Sequence, residues 1–315
     1  MLIVALDGSG DFQSIQAAID SLKGKDPTTI FIKRGVYHEK LYLNHSHVTF
    51  IGEDAESTVI TFDDYAKKVL ADGTLVQTFR SYTMFIHGNH LTFSNLTFEN
   101  KSGKGKDVGQ AIALYVDGDC IHFKDCCFLG NQDTLFTAPL PSTPVIPGSF
   151  IGPGEYFPRK VGRHYYERCY LQGDIDFIFG GATAYFENCI IFSNAIDGFS
   201  YVTAASTPKD ETYGYVFNHC KLVSDAPNGS VFLGRPWREF AHVAFLNCYL
   251  GPHIHAAGWD DWGKIDSHDS IKFYEFQNFG PGAKSHQRVN FSKELSPEEA
   301  VFYKKEKVLG NWDPN

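Results

Sequence analysis

A short unit of the form aromatic-x-x-Cys-x-apolar recurs along the chain and constrains its fold more than any other feature. The fourth position of the unit is leucine once and cysteine five times, at Leu96, Cys126, Cys169, Cys189, Cys220 and Cys248. The steps of 30, 43, 20, 31 and 28 residues are too long for a meander of hairpins. Each unit alternates like a half-buried strand, and strands repeated at such intervals are typical of a solenoid. The sequence therefore predicts stacked coils.

The repeated cysteines are predicted to form part of the solenoid interior. Stacked coils place equivalent residues about 4.8 Å apart, in ladders. The five cysteines would then be small apolar rungs of one ladder, and a redox or metal-binding role is the alternative. The chain has seven cysteines, an odd number, and none forms a CxxC pattern. These features indicate a reduced, cytoplasmic setting.

Both ends of the chain carry helix signals. Apolar residues at helical spacing predict a helix over residues 12–23 that caps the first coil, with Gly24 as its stop. Residues 296–299 read Ser-Pro-Glu-Glu, a capping box that predicts a second helix running to about Leu309. Because no linker separates these ends, we expect an all-β solenoid with two end helices, as a single domain spanning residues 1–315.

The composition limits the classes of molecule that the chain is expected to bind. Hydrophobic residues make up 43% of the chain, which suits a globular core, and the net charge of −9 argues against nucleic acid. A charged polyanion would be repelled too, whereas its neutral esterified form would not. No apolar stretch reaches the length of a membrane span. The six apolar residues at the start are too few for a signal peptide, so a cytoplasmic location is expected, or an extracellular one if a leader has been removed.

One stretch interrupts the repeat. Residues 138–163 are rich in proline and glycine, which excludes a central strand. The stretch is predicted to be a long loop that accounts for the 43-residue step. Long ordered loops are commonly functional, although a merely tolerated insertion stays open.

Four segments place polar groups within apolar strands, at residues 109–114, 131–135, 174–180 and 233–237. In the third, Asp176 is followed by Phe177 and two further apolar residues, so its carboxylate should be buried. A buried carboxylate needs a cation or becomes protonated, and Arg235 of the fourth segment is a candidate partner. From the residues alone, a catalytic pair and a purely structural ion pair both stay open.

The four segments match, in order, the Gly-Gln-Ala, Gln-Asp-Thr, Asp-Phe-Ile-Phe-Gly and Gly-Arg-Pro-Trp motifs of the pectin methylesterases. The chain resembles this family from Asp7 to Trp259 and beyond. The resemblance implies a right-handed parallel β-helix that needs no cofactor or metal. It also implies hydrolysis of methyl-esterified galacturonate units in pectin or pectic oligosaccharides, with release of methanol.

The resemblance also implies residue roles. Asp176 would be the nucleophile, kept ionised and oriented by Arg235 through a lowered pKa. Asp133 would be the general acid and then the base, a task that requires a raised pKa. Gln110 and Gln132 would donate hydrogen bonds to the oxyanion. Because Gln132 and Asp133 are adjacent, a regular strand would point them to opposite faces, so a turn or bulge is expected near residues 130–131.

Substrate contacts are expected at Trp237, Thr83, Phe177 and Trp259. Core packing is the alternative for Trp237, and closing the core is the alternative for Trp259 and for the nearby Trp262. Two features depart from the family: the long loop, expected to border the cleft, and Asp174 in place of the usual Thr or Ser. The extra carboxylate is expected to raise pKa values in the site.

Other classes of function fit less well. A Ser-His-Asp hydrolase lacks its Gly-x-Ser-x-Gly elbow in this chain. A β-helix lyase would need a carboxylate cluster for calcium, and a glycosidase would leave the two glutamines unexplained. A non-catalytic carbohydrate-binding solenoid and an esterase for another carbohydrate or acyl ester are further alternatives. Short methylated oligogalacturonides are expected as substrate rather than wall pectin, and the sequence does not define an oligomeric state.

Overall fold

The computed structural model describes residues 1–24 and 26–314, and most of its regular structure is β-strand. The first strands are β1 (Leu2–Val4), β2 (Thr28–Ile32), β3 (Gly35–His38), β4 (Leu41–Leu43), β5 (Val48–Gly52), β6 (Thr58–Phe62), β7 (Met84–His87), β8 (Leu91–Ser94) and β9 (Thr97–Asn100). Next come β10 (Leu114–Asp117), β11 (Ile121–Lys124), β12 (Cys127–Leu129), β13 (Leu135–Thr137), β14 (Arg163–Glu167), β15 (Tyr170–Gly173), β16 (Ile175–Gly180), β17 (Thr183–Glu187) and β18 (Ile190–Ser193). The last are β19 (Ser200–Ala205), β20 (Tyr215–Asn218), β21 (Lys221–Ser224), β22 (Val231–Pro236), β23 (His242–Leu246), β24 (Tyr249–Leu250), β25 (Lys272–Phe276) and β26 (Ser292–Glu294).

These strands form three sheets that the chain visits in turn. Sheet A has the order β1-β2-β5-β8-β11-β14-β17-β20-β23-β25-β26, sheet B β3-β6-β9-β12-β15-β18-β21-β24, and sheet C β4-β7-β10-β13-β16-β19-β22. Neighbouring strands run parallel and are separated in sequence by one full coil, for example β11 beside β14 and β13 beside β16. The predicted all-β, parallel β-helix fold is confirmed. A single domain over residues 1–315 stays a prediction.

The repeated unit is a corner and not a single strand, which corrects the sequence interpretation. Its aromatic residue lies in sheet A and its cysteine lies just before sheet B, for example Phe123 in β11 and Cys126 before β12. In all six units a residue between the two strands adopts a left-handed backbone, with φ of 50–56° at Asn95, Asp125, Arg168, Asn188, His219 and Asn247. Asn and Asp tolerate this conformation better than most residues, which accounts for their frequency there.

The aromatic residues of the units stack on one another through the interior. Ring centroids of successive rungs lie 4.4–5.1 Å apart with nearly parallel planes, for the ladder Phe50, Phe93, Phe123, Tyr166, Phe186, Phe217 and Phe245. This spacing follows from the distance between hydrogen-bonded strands. The ladder belongs to a continuous core that extends from Val4 to Phe273.

The five repeated cysteines form a second interior ladder, as predicted. Each thiol is buried and donates to the carbonyl of the aromatic residue one coil earlier, for example Cys189 Sγ to Tyr166 O at 3.4 Å and Cys220 Sγ to Phe186 O at 3.4 Å. Burial raises the pKa of the Cys126 thiol to about 12. Because all five thiols are buried and each donates to a backbone carbonyl, the ladder is structural.

The N-terminal helix is shorter than predicted. Helix α1 spans Ile15–Asp20 rather than residues 12–23, because Ser14 caps it and the Glu39 carboxylate accepts the backbone N–H groups of Ile15 and Gln16 at 2.9 and 3.0 Å. Its buried face joins the solenoid core at the N-terminal end, as a cap should. A second short helix, α2 (Gly105–Val108), lies between β9 and β10.

The predicted C-terminal helix is broken into short pieces. The capping box at Ser296 forms, but α3 spans only Pro297–Ala300, a 3₁₀ turn follows, and α4 spans Lys305–Val308 after an extended Lys304. This segment, which we call the C-terminal strap (residues 296–312), does not cap the solenoid. Its apolar residues pack against the outer face of sheet A, where Arg163 Nη1 binds Leu309 O at 3.0 Å. Tyr303 and Leu309 both pack onto that face, and one straight helix would not allow both contacts.

Among the described residues, no helix has the length and apolar content needed to cross a membrane.

The aromatic ladder gives a stability prediction. Phe217→Ala should lower the free energy of unfolding by about 3–5 kcal/mol, because it leaves a cavity between two stacked rings of the core. Urea unfolding followed by circular dichroism measures the change. Phe302→Ala is the matched control, since that ring is 59% exposed, and it should change stability by less than about 0.5 kcal/mol. Equal losses in the two variants would contradict the ladder's role.

Candidate active site

A row of side chains on the outer face of sheet C leads to the candidate site. Residues in register on successive strands are Phe85, Tyr115, Phe136, Phe179, Ala204 and Arg235, from β7 to β22. The aromatic members form a buried cluster outside the sheet, separate from the solenoid interior. Along the row the side chains change from aromatic (Phe179) to small (Ala204) to cationic (Arg235). The candidate site lies at this part of the sheet.

Arg235 reaches Asp176 across an intervening strand. Asp176 lies on β16 and Arg235 on β22, with β19 between them, so about 10 Å of sheet separates the two backbones. The β19 residue in register with Arg235 is Ala204, whose small side chain leaves room for the guanidinium. Arg235 Nε and Nη2 donate to the two carboxylate oxygens of Asp176 at 2.8 and 2.7 Å. This two-point contact fixes the carboxylate's orientation.

Two aromatic rings hold the guanidinium of Arg235. Its central carbon lies 3.9 Å from the ring centre of Tyr201 and 3.8 Å from that of Trp262. A cation over an aromatic face is stabilised by the ring, so the two rings stabilise the Arg235 guanidinium in addition to the Asp176 carboxylate. Lys264 lies 4.1 Å from the same Trp262 ring and donates to Pro236 O at 2.8 Å. Burial and the neighbouring arginines lower the pKa of Lys264 to about 8.

A bulge positions Asp176. Between Ile175 and Ile178 the pairing of β16 with β19 shifts register, and Asp176 has a φ of 52°. An extra residue in one strand bends it and redirects a side chain. Phe177 then points into the solenoid core, while the Asp176 carboxylate faces the outer surface and is 7% exposed.

A turn positions Asp133, as the adjacency of Gln132 and Asp133 required. Residues 131–133 form a turn before β13, but the left-handed residue is Asp133 itself, with a φ of 65°, rather than Gly130 or Asn131. Gln132 packs against Gly105 of α2, where an added Cβ would lie 2.5 Å from its Oε1. Glycine at position 105 therefore leaves room for the Gln132 amide.

The predicted catalytic residues meet in one cavity of about 340 Å³. Its walls include Gln110, Gln132, Asp133, Asp176 and Arg235, together with Trp237. Within the described residues, the side-chain amides of Gln110 and Gln132 have no protein hydrogen-bond partner, so both amides are free to donate to a bound molecule. The site thus combines two carboxyl groups, one cation and two neutral donors.

Burial sets the proton affinities of the two aspartates. Burial and then the Asp176 charge raise the pKa of Asp133 well above its usual range. Burial also raises the pKa of Asp176, against the opposing effect of the Arg235 hydrogen bonds. The expectation that Arg235 lowers the Asp176 pKa overall is therefore wrong, because burial outweighs the ion pair. Arg235 donates two hydrogen bonds to Asp176 and none to Asp133, so Asp133 is the group expected to hold its proton, as predicted.

Asp174 lies at the edge of a second cavity, of about 500 Å³, which shares Gln132 with the first. Its carboxyl group is buried and accepts the Ile175 N–H at 2.6 Å. Burial raises its pKa, and its charge in turn contributes to the raised pKa of Asp133. The expectation that Asp174 raises pKa values in the site is confirmed in direction.

The long loop borders the cleft, as expected. It runs from Ala138, after β13, to Gly162, before β14, and Val145, Ile146, Ser149 and Phe150 line the same cavity as the two aspartates. Trp237 also lines the cavity, with one face packed among Phe79, Phe150 and Phe179. Trp237 therefore packs as the core alternative required, and its contact with substrate stays a prediction.

Three predicted substrate contacts are wrong. Thr83 is fully buried and donates to Glu99 O at 2.7 Å. Phe177 belongs to the solenoid core because the bulge at Asp176 turns it inward. Trp259 is 1% exposed and stacks on Phe273 at 4.3 Å between ring centres, so it closes the core.

Sequence reasoning missed several residues of this region. Thr78, Phe79 and Phe179 line the cavity, and Lys264 lies beside Trp262. Strand alternation would place Phe179 on the face opposite to Asp176, and only the bulge makes both face outward. Thr78 lies outside the repeat, which therefore offers no signal for it. Trp262, expected either to extend the substrate platform or to close the core, lines the cavity.

Among the described residues, no group of three or more His, Cys, Asp or Glu side chains is arranged to hold a metal ion.

The fold and the site together define a parallel β-helix protein with two buried carboxyl groups, an arginine and two amides in one cleft. Comparison with known proteins narrows this class. The model of the family described as Pectinesterase matches residues 1–140 and 157–311. Pectinesterase 31 from Arabidopsis thaliana is 35% identical, over 96% of this chain and 90% of the relative, and putative pectinesterase 11 from the same plant is 30% identical, over 99% and 80%. The chain therefore belongs to the pectinesterase family.

Solved structures agree with this assignment. Pectin methylesterase PemA from Erwinia chrysanthemi superposes with a TM-score of 0.82 at 28% identity, over 100% of this chain and 98% of that one. Pectin methylesterase from carrot gives 0.80 at 27% identity, over 98% and 92%. A pectin methylesterase in complex with a hexasaccharide gives 0.81 at 28% identity, over 100% and 98%. Residues 141–156 of the long loop lie outside the family match, so this part is an insertion.

The position of Asp174 gives a pH prediction. Asp174→Asn should move the alkaline limb of the pH–rate profile on methylated pectin to lower pH, because it removes a charge that raises the Asp133 pKa. Asparagine keeps the acceptor for the Ile175 N–H. Methanol release across a pH series measures the shift of the coupled pair. Asp197→Asn, an exposed change in the same second cavity, should leave the limb in place, and a shift of equal size there would contradict the assignment.

Proposed function

We propose that the chain hydrolyses methyl esters of galacturonate units in pectin or pectic oligosaccharides and releases methanol. One observation carries this proposal. A carboxylate held at two points by Arg235 shares a cavity with a second carboxyl group, whose pKa is raised well above its usual range, and with two amides that have no hydrogen-bond partner among the described residues. This arrangement supplies a nucleophile, a proton donor and an oxyanion site, and the family membership supports methylated pectin as the substrate class.

In the first step, an oxygen of Asp176 attacks the ester carbonyl carbon. The carbonyl oxygen becomes negative and accepts hydrogen bonds from the amides of Gln110 and Gln132. Asp133, protonated because its pKa is raised, gives its proton to the methoxy oxygen as the C–O bond breaks. Methanol leaves, and an anhydride joins the substrate acyl group to Asp176.

In the second step, water replaces methanol. Asp133, now ionised, takes a proton from water, and the hydroxide attacks the substrate acyl carbon of the anhydride. The bond to Asp176 breaks, and galacturonic acid is released and loses its proton to the solvent. Asp176 is then ionised and Asp133 protonated again for the next cycle. Both steps need Asp176 ionised while Asp133 is protonated, and the two hydrogen bonds from Arg235 favour the ionised form of Asp176, whereas burial raises the pKa of Asp133.

The amides argue against a glycosidase on the same scaffold. A glycosidase needs two carboxyl groups placed about an anomeric carbon, and its transition state is positive. Gln110 and Gln132 instead offer donors, which stabilise a developing negative charge. Donors beside a nucleophilic carboxylate are what attack on an ester carbonyl requires.

The roles of the aspartates predict the effect of two substitutions. Asp176→Asn and Asp133→Asn should each lower methanol release from methylated pectin by at least about 10⁴-fold, because each removes the nucleophile or the proton carrier. Thermal unfolding followed by circular dichroism should show that both variants still fold. Asp197→Asn is the control with an exposed carboxylate and should keep full activity. Substantial turnover by either Asp176→Asn or Asp133→Asn would refute the roles.

Substrate length is the finer part of the proposal. We propose short methylated oligogalacturonides as the preferred substrate, since the insertion adds a wall to the cleft. Turnover of methylated dimers and trimers should exceed that of long pectin at equal ester concentration. A strong preference for the polymer would refute this part and leave ester hydrolysis intact. A cytoplasmic location also stays a prediction, supported by the seven free cysteines.

A further inference from the structure

The insertion at residues 141–156 places two apolar side chains beside the reaction centre. Val145 and Ile146 are 79% and 69% exposed, and both line the cavity that contains Asp133 and Asp176. The family match omits this segment, so these contacts are particular to this chain. Exposed apolar side chains at the edge of a binding cavity indicate contact with a ligand.

Two arginines hold the insertion in place. On its N-terminal side, Arg238 Nη2 donates to Thr143 O at 3.2 Å. On its C-terminal side, Arg159 donates to Gly154 O at 3.0 Å and to Glu155 O at 2.6 Å. Charged donors to backbone carbonyls fix the course of the main chain without using side chains of the insertion. The segment between them therefore has its two ends pinned.

An aromatic anchor holds the middle of the insertion. Phe150 is 5% exposed, and its ring centre lies 5.7 Å from that of Phe79 and 6.3 Å from that of Trp237. Two residues later, Gly152 approaches Phe79 so closely that an added Cβ would lie 2.6 Å from its carbonyl oxygen. The insertion thus forms a fixed wall of the cleft. Val145 and Ile146 do not pack within the insertion, and their side chains stay exposed.

The chemistry of these two side chains favours one form of the substrate. A galacturonate unit next to the one being hydrolysed carries either a neutral methyl ester or a charged carboxylate. A methyl ester loses little on contact with valine and isoleucine, whereas a carboxylate loses hydration without gaining a donor. Arg238, which also lines the cavity, donates from Nη1 to Trp237 O and from Nη2 to Thr143 O, so both terminal nitrogens bind the protein backbone.

We propose that the insertion is a specificity wall, at which Val145 and Ile146 contact the methyl ester of a neighbouring galacturonate unit. The chain would then favour runs of consecutive methyl esters over a single ester flanked by free acids. This inference rests on the proposed ester hydrolysis and adds which methylation pattern is selected.

The test compares two trigalacturonates, one methylated on all three units and one only on the central unit. Methanol release from the central ester gives kcat/KM for each, and product mapping by mass spectrometry confirms the position. The wild-type chain should favour the fully methylated trimer by about 5-fold, through KM. The double variant Val145→Ser, Ile146→Ser should lose most of this preference with little change in kcat.

The matched control is Val36→Ser, Ile190→Ser, which changes two apolar side chains that are 61% and 41% exposed on other faces. It should keep the wild-type ratio. Absence of a preference in the wild-type chain, or an unchanged ratio in the wall variant, overturns the proposal. A wild-type preference for the singly methylated trimer also overturns it and points to Arg238 as a carboxylate site. If neither trimer nor methylated pectin releases methanol, the proposed hydrolysis itself fails.

Discussion

Parallel, in-register hydrogen bonding between successive coils is the constraint on which the rest of the structure depends. It fixes the rise between coils near the strand spacing of about 4.8 Å, so every equivalent position becomes a rung of a ladder. Inside, the ladders are aromatic rings and buried thiols. Outside, on sheet C, the same register aligns Phe179, Ala204 and Arg235 side by side. The candidate site is therefore built from residues far apart in sequence, without any long loop having to bring them together.

Chemistry enters where this regularity is broken. Both aspartates have a left-handed backbone, Asp133 in a turn and Asp176 in a bulge, and each break faces the outer surface of sheet C. In β16 the bulge keeps Phe177 and Ile178 both in the core, so Asp176 and Phe179 both face outward. Left-handed non-glycine residues carry a conformational cost, which the surrounding ladder of hydrogen bonds sustains. The regular scaffold thus holds both aspartates in a backbone conformation that it also uses at its corners.

The sequence predicted the solenoid, the cysteine ladder and the pairing of Asp176 with Arg235, because repeats and buried charges leave signals in a single chain. It failed where packing decides the outcome. The C-terminal helix breaks at Lys304 since Tyr303 and Leu309 dock onto sheet A, and local helix signals do not include that surface. Thr83 and Trp259 were misplaced because neither lies in a motif whose register is fixed. The pKa of Asp176 was misjudged because burial, which a sequence does not measure, outweighs its arginine.

The C-terminal strap has a consequence for how the molecule comes apart. In a solenoid each coil touches only its neighbours, so disorder can spread inward from a free end one coil at a time. Here the C-terminal strap folds back over sheet A. Its Tyr303 bonds His242 of β23, near the last coils, and its Leu309 bonds Arg163 of β14, in the middle of the stack. The strap therefore connects coils that are not adjacent in the stack. The last coil cannot unfold until the C-terminal strap detaches from sheet A. The terminal coils should therefore unfold together with the middle of the stack.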